Sequence, residues 1–174
     1  MRAHIGFKFG KSRIGERGRD EMETERKFRA HHIICTALYE GKGYSGAFCE
    51  NMTAVVTRLR ENPDERLRLV AQPDLICADC PNHGADDDCM QDQNRVVNKD
   101  RRVIAMFDLE ENGIYTYRRL CEAALAAMTP ELFMETCGTC EWRTQGLCRS
   151  EDLIAQLSET VQPAARGSRT PRST

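Results

Sequence analysis

Six of the nine cysteines in this chain fall into two triplets of nearly equal spacing. The first triplet is Cys77-Ala-Asp-Cys80, followed after eight residues by Cys89, and the second is Cys137-Gly-Thr-Cys140, followed after seven residues by Cys148. Two residues between cysteines form a short turn, which lets both thiolates bind one ion. The paired motifs therefore predict a metal or iron–sulfur protein, in which the loops converge on an inorganic centre.

Disulfide bonds are the main alternative use of grouped cysteines, and the sequence argues against them. Nine is an odd number, so the cysteines cannot all pair with one another. Residues 1–10 lack the apolar stretch of a secretory signal, and no apolar run approaches the roughly 20 residues that span a bilayer. We therefore expect a cytoplasmic protein with no membrane partner, where clustered thiols in a reducing environment bind metal.

Charge is distributed unevenly along the chain, although the formal net charge is only −2. Residues 1–30 carry nine basic and five acidic side chains, whereas residues 31–163 carry a balance of −9. Nucleic-acid surfaces need clustered cations, so the acidic body argues against a nucleic-acid partner. It could instead dock a basic redox partner protein, because complementary charge speeds encounter. Nothing in the sequence indicates the oligomeric state.

Composition divides the chain into three parts. Residues 1–23 form a basic extension with little hydrophobic periodicity, and residues 162–174 form a tail with few apolar side chains. Both are predicted to be disordered. Residues 24–161 are predicted to fold as a single Cys-rich metal or iron–sulfur domain, which suits a chain of 174 residues.

The hydrophobic pattern predicts an α+β fold that is predominantly helical, with a small β component and Cys-rich metal-binding loops. Helices are expected over residues 45–62, 90–107, 117–128 and 150–161, with another beginning at Pro130. Ser45, Thr116 and Thr129 are the expected caps. Residues 66–70 alternate as a strand does, and the apolar segment of residues 28–39, which includes residues 33–38, could be helix or strand. As a strand, residues 33–38 would complete a β-α-β unit near the N-terminus.

Each triplet supplies three thiolates, but a closed zinc site or a cubane cluster needs four ligands. The best remote candidates are Cys35, His31 and His32, and His83 lies inside the loop of the first triplet. His31 and Cys35 share a face in either a helix or a strand, so His31 is preferred over His32 as an extra ligand. The alternative for His31 is a histidine that is hydrogen-bonded near the core.

Helices that lead out of one triplet and back to the other would bring the two triplets to one end of the fold. Three arrangements stay open at this point: two separate centres, one centre pooled from both C-x2-C pairs, or one cluster with an open iron. Residue spacing does not choose among them.

Other reactive residues are given structural roles. Cys49 and Cys121 lie on apolar helix faces and are expected to be packed thiols rather than ligands. The Gly-Lys-Gly turn of residues 41–45 could hold an anion, but a helix cap explains it equally well. Asp100-Arg-Arg102 is expected to be a solvated or salt-bridged surface.

The triplets contain only thiolates and no regular histidine pair, which favours iron–sulfur over zinc. Zinc ribbons often have glycine after the second cysteine, whereas Pro81 follows Cys80 and Glu141 follows Cys140. A Cys-Pro step also ends bacterial ferredoxin motifs, although the compact ferredoxin run is absent. An iron–sulfur cluster of unspecified type is therefore the predicted cofactor, with zinc as the alternative.

In this order, the motifs resemble those of the bacterial and archaeal family called domain of unknown function 1284. The resemblance covers about residues 29–149 and rests on these segments: His31-His32-Ile-Ile-Cys35, Gly41-Lys42-Gly43-Tyr44-Ser45, Phe48-Cys-Glu-Asn51-Met52, Asp74-Leu-Ile-Cys77-Ala-Asp-Cys80-Pro81-Asn82, Asp100-Arg-Arg102-Val103 and Cys137-Gly138-Thr-Cys140-Glu-Trp142. The family has no established reaction, and the resemblance implies iron–sulfur binding. By position it implies a cofactor-binding role for seven cysteines: Cys35, Cys77, Cys80, Cys89, Cys137, Cys140 and Cys148.

The predicted function is iron–sulfur-cluster binding in electron transfer or redox sensing, with those seven cysteines as thiolate ligands and His31 as a candidate extra metal ligand. The alternative is a zinc-stabilised interaction module in which the same cysteines hold zinc. An enzyme with an open cluster site is the least supported interpretation, and no catalytic residue is assigned.

Overall fold

The computed structural model describes residues 25–91 and 95–162. The predicted disordered extension, residues 1–23, and residues 163–174 of the predicted tail lie outside the described residues. Within the described part, seven α-helices and a three-stranded sheet form the predominantly helical α+β fold that the sequence predicts. None of these described helices is both long and apolar enough to cross a membrane.

The sheet is small and mixed. Its strands are β1 (Arg26–Arg29), β2 (Arg66–Val70) and β3 (Ile114–Thr116), in the spatial order β1-β2-β3. β1 pairs parallel to β2, with Phe28 opposite Leu69, and β2 pairs antiparallel to β3. The alternation in β2 buries Leu67 and Leu69, which confirms the strand expected over residues 66–70.

The parallel pairing makes a β-α-β unit, but its first strand is not over residues 33–38. The strand considered for residues 33–38 is wrong, because this segment is helix α1 (His32–Ala37). Ile33 and Ile34 are both buried from this helix, whereas consecutive residues of a strand point to opposite faces. The strand that pairs with β2 is β1, which ends three residues before α1 begins.

The other helices follow the predicted hydrophobic faces and caps. They are α2 (Gly46–Glu61), α3 (Arg95–Met106), α4 (Tyr117–Ala127), α5 (Pro130–Cys137), α6 (Glu141–Thr144) and α7 (Ser150–Val161). The side chains of Ser45, Thr116 and Thr129 each accept a backbone N–H at the start of α2, α4 and α5, as expected. α3 begins later than the predicted residue 90, because the chain up to residue 91 belongs to the loop of the first triplet.

The hydrophobic core lies between the sheet and the helices α1, α2, α4 and α7. Its fully buried side chains include Phe28, Ile33, Met52, Leu59, Leu67, Leu120 and Leu153. Cysteines of α1 and of both triplets pack against one side of this core. The cysteine-bearing loops are therefore held on a rigid support.

Candidate metal centre

A cavity of about 530 Å³ has walls formed by α1, α2, α3, the loop of the first triplet and the turn of the second. The cysteines that line it are Cys35, Cys77, Cys80, Cys89 and Cys140. The first triplet and Cys140 of the second therefore line one cavity, which agrees with the prediction that both triplets lie at one end of the fold. Both His31 and His32 also line this cavity.

The first triplet is shaped by two short backbone structures. A 3₁₀ turn spans Cys77–Asp79, and the backbone N–H of Cys80 donates to the carbonyl of Cys77 at 3.0 Å. Cys89 then returns beside the turn, because it forms an antiparallel bridge with His83. The loop thus brings the third cysteine of the triplet back toward the first two.

The second triplet begins where α5 ends. Cys137 is the last residue of the helix, and the N–H of Cys140 donates to its carbonyl at 2.9 Å. After the single turn of α6, the N–H of Leu147 donates to the carbonyl of Trp142 at 2.9 Å. This closure returns Cys148 toward the turn just before α7 begins.

Cys35 on α1 lines the cavity together with Cys140 of the second triplet. Burial raises the pKa of the Cys35 thiol well above its usual value, and negative charge on the neighbouring cysteines raises it further. Those neighbours are Cys137, Cys140 and Cys148. We call Cys35 and these three neighbours the four-thiol group: Cys35, Cys137, Cys140 and Cys148. The structure thus brings a remote cysteine to the second triplet, which is where a fourth ligand was missing.

Lys99 on α3 is the cation of the four-thiol group. Its side chain is half-buried and lines the cavity. Burial lowers the pKa of Lys99, but the nearby Cys35, Cys137 and Cys140 raise it by more, so the net shift is upward. A protonated ammonium at this position can offset the negative charge of metal-bound thiolates.

The two histidines are each held by a buried carboxylate. Nδ1 of His31 lies 2.7 Å from Oδ1 of Asp100, and Nδ1 of His32 lies 2.8 Å from Oδ2 of Asp74. Burial lowers the pKa of His31 to about 4, so its ring is neutral at pH 7. Because the ionised carboxylate of Asp100 only accepts hydrogen bonds, Nδ1 of His31 carries the proton and Nε2 of His31 keeps its lone pair.

Asp74, His32 and Cys77 form a compact group in the described residues, with one ligand atom of each within 4.8 Å of the others. Burial raises the pKa of Asp74, but His32 and backbone N–H groups lower it by more, to about 2. Asp74 is therefore ionised at neutral pH. No three sulfurs of the described cysteines approach one another this closely.

Two thiols of the triplets, Cys77 and Cys148, are protonated at neutral pH in the absence of a metal. Burial raises the pKa of Cys77 to about 12 and that of Cys148 to about 11. Metal ions bind thiolates, so loading this site must release protons. The donor set fits a thiophilic metal or an iron–sulfur cluster, because it combines several cysteine sulfurs with imidazole rings and a nearby cation.

The remaining cysteines lie away from the cavity walls. Cys121 is completely buried in the core, where it is close to Tyr117. Cys49 is partly buried on α2 and lines a different surface groove beside Trp142. Their placement as packing thiols agrees with the roles that the sequence indicates.

Sequence reasoning missed the buried charges beneath the site. The interpretation of Asp100 as a surface residue is wrong, because its side chain is fully buried and bonded to Arg29 at 2.6 Å. Arg29 is itself buried and points toward Cys77, 3.9 Å from its sulfur. Of these buried charges, Asp74 could have been noticed in the sequence, because it stands three residues before the first C-x2-C pair.

The chain matches a protein family over most of this site. A family model described as "Protein of unknown function (DUF1284)" matches residues 43–146. This segment is more than half of the chain, so the chain belongs to that family. The match includes both C-x2-C pairs and Cys89, whereas Cys35 and Cys148 lie outside it. No curated protein and no solved structure matches the chain.

Proposed function

We propose that this member of the DUF1284 family binds an iron–sulfur cluster and acts in electron transfer or redox sensing in the cytoplasm. The four-thiol group would hold the cluster as thiolates. The observation that carries the proposal is that Cys35 lines one cavity with Cys140 of the second triplet, and that Cys137 and Cys148 are near enough to raise its pKa. Four cysteine thiolates are the usual ligands of such clusters.

The surroundings suit an electron-carrying centre. Lys99 faces the four-thiol group and would offset part of the cluster's negative charge, which favours the reduced state. Trp142 follows Cys140 by two residues and stacks near Tyr44, whose side chain is partly exposed. The cluster would thus lie close to the surface, where a basic partner protein could approach the acidic body of the chain.

The deciding experiment is anaerobic purification followed by visible absorption and by iron and acid-labile sulfide analysis. We expect charge-transfer absorption in the visible range and iron and sulfide bound in a fixed ratio to protein. Cys35→Ser should lose most of both, because a hydroxyl is a far poorer ligand than a thiolate. Cys49→Ser is the matched control and should retain them. Iron and sulfide retained in full by Cys35→Ser would contradict the proposal.

Zinc is the alternative occupant of the four-thiol group, because four thiolates also make a structural zinc site. The protein would then be a zinc-stabilised interaction module. Structural zinc contributes directly to folding, so its removal by a chelator should abolish the helical circular dichroism signal. Stoichiometric zinc without sulfide in the anaerobic protein would favour this alternative and exclude the cluster.

A further inference from the structure

We propose that the first triplet forms a second, separate metal centre, which takes a zinc ion and has His32 as its fourth ligand. The protein ligands would be Cys77, Cys80, Cys89 and His32. This assignment rests on the geometry of the first triplet alone, so it does not depend on a cluster in the four-thiol group.

The distance between His32 and Cys77 is the first observation. A ring nitrogen of His32 and the sulfur of Cys77 lie within 4.8 Å of each other. Zinc bonds of about 2.3 Å to sulfur and about 2.0 Å to nitrogen would place these atoms about 3.5 Å apart. The imidazole of His32 and the thiol of Cys77 are therefore close neighbours in the structure.

Asp74 completes this compact group but is already fully used by hydrogen bonds. Its Oδ2 accepts from the backbone N–H of Arg29 at 2.7 Å and from His32. Its Oδ1 accepts from the backbone N–H groups of Ile76 at 2.9 Å and Cys77 at 3.2 Å. The carboxylate thus supports the site from behind and has little free capacity to bind the ion.

The bond to Asp74 prepares His32 to be a ligand. Histidines that bind metals commonly donate their other ring N–H to a carboxylate, which fixes the tautomer and the orientation of the ring. Nδ1 of His32 lies 2.8 Å from Oδ2 of Asp74, so Nε2 is the nitrogen that is left to bind the ion. The ring lines the cavity that the first triplet also lines. His31 makes its corresponding bond to Asp100 on α3 instead.

The loop after Cys77 folds back on itself, so that Cys80 and Cys89 line the same cavity as Cys77 and His32. Cys89 pairs with His83, and the N–H of Met90 donates to the carbonyl of Asn82 at 2.8 Å. Hydrogen bonding from Asn82 lowers the pKa of Cys80, although burial raises it by more. Hydrogen bonds of this kind stabilise a thiolate that is bound to a metal.

The summed charge of the four proposed protein ligands suits a zinc ion. Three thiolates and one neutral imidazole form a common tetrahedral zinc set, whose net charge with Zn²⁺ is −1. The buried guanidinium of Arg29 lies 3.9 Å from the Cys77 sulfur and would offset that charge. Rieske clusters, by comparison, use two histidines on one iron, and a single histidine does not meet that requirement.

The test measures zinc and iron together in the full-length protein, expressed with both metals and purified anaerobically. We expect one zinc per chain in addition to the iron. His32→Gln should lose the zinc while keeping the iron, and Asp74→Asn should weaken zinc binding by about 10–100-fold. His83→Gln is the matched control, because His83 lies in the same loop but bonds to the exposed Asp87. It should keep the zinc.

A second measurement separates loss of a ligand from loss of folding. Metal-free protein carrying Cys35→Ser and Cys140→Ser, which empty the four-thiol group, is titrated with Co²⁺. We expect the visible bands of tetrahedral cobalt with three sulfurs and one nitrogen. Adding His32→Cys should keep the ion and strengthen the sulfur-to-cobalt charge-transfer band, because a fourth thiolate replaces the imidazole.

Three results would overturn the assignment. Zinc retained in full by His32→Gln would exclude His32 as a ligand. An unchanged cobalt spectrum in the His32→Cys protein would do the same. Loss of zinc and iron together from both His32→Gln and Cys140→Ser, with circular dichroism unchanged, would mean that the triplets share one centre. Failure of the cluster proposal looks different, because iron would then be absent while zinc stays bound to the first triplet.

Discussion

Asp100 is a buried carboxylate that fixes the segment leading into α1. Its Oδ2 accepts from Nε of Arg29 at 2.6 Å, and its Oδ1 accepts from the backbone N–H of His31 at 2.9 Å. Burial raises the pKa of Asp100, but His31 and Arg29 lower it by more, so the carboxylate is ionised. One charged side chain of α3 thus positions two residues of the cavity wall.

Replacing Asp100 by Asn should therefore be costly. The change leaves the buried guanidinium of Arg29 without its charged partner, and breaking a buried pair in this way costs about 3–5 kcal/mol. Urea denaturation followed by circular dichroism measures the free energy of unfolding. Asp152→Asn is the control, since Asp152 pairs with Arg149 on the surface and should change stability by no more than about 0.5 kcal/mol. Equal losses for the two variants would contradict the prediction.

At the level of elements, the turn that joins α5 to α6 is tightly closed. Gly138 occupies the position between Cys137 and Thr139, and a side chain there would collide with the backbone carbonyl oxygen of Met134. The N–H of Gly138 donates to that same carbonyl at 2.8 Å. The absence of a Cβ therefore lets the turn after α5 place Cys137 and Cys140 on one side.

Gly138→Ala should open this turn. We expect a loss of about 1–3 kcal/mol, typical of overpacking, together with weaker metal binding by the four-thiol group. Gly46→Ala is the matched control, because a Cβ at Gly46 meets no atom within 4 Å at the start of α2. The control should be neutral or slightly stabilising. Thermal denaturation and metal analysis of both variants test the prediction, which fails if Gly138→Ala matches wild type in both.

On the scale of the whole molecule, the four-thiol group joins parts of the chain that are distant in sequence. Cys35 belongs to α1, Cys137 ends α5, and Cys148 precedes α7. α1 and α7 also pack against α4 in the core. A metal centre at this point is thus linked to the folding of the entire domain, because only the folded chain presents the four sulfurs together.

Removal of the bound metal should consequently lower the thermal midpoint of the whole protein in one transition. Trp142 is the chain's only tryptophan and lines the cavity, so its fluorescence should change as metal is removed. We expect the fluorescence and the far-ultraviolet circular dichroism to follow the same denaturation curve. The Cys49→Ser protein should behave like wild type. A thermal midpoint that is independent of metal would contradict this linkage.

The local parts of the site and fold could be predicted from the sequence. The turns around the C-x2-C pairs depend on a few neighbouring residues, and so do the caps at Ser45, Thr116 and Thr129. The strand over residues 66–70 was also predictable, because its alternation records which face is buried. The choice between helix and strand for residues 33–38 was not, since a short apolar run suits both.

Only the tertiary structure decided which distant residues share the site. Arg29 and Asp100 are 71 residues apart, and His32 and Asp74 are 42 residues apart, so no local pattern pairs them. Arginine and aspartate are usually found on protein surfaces, but here they are buried and held in place by hydrogen bonds beneath the cavity. The same packing brings Cys35 to the second triplet and His32 to the first. The sequence by itself thus determined which residue types can bind a metal, whereas long-range packing decided how they are grouped, because chain folding alone sets the distance between remote side chains.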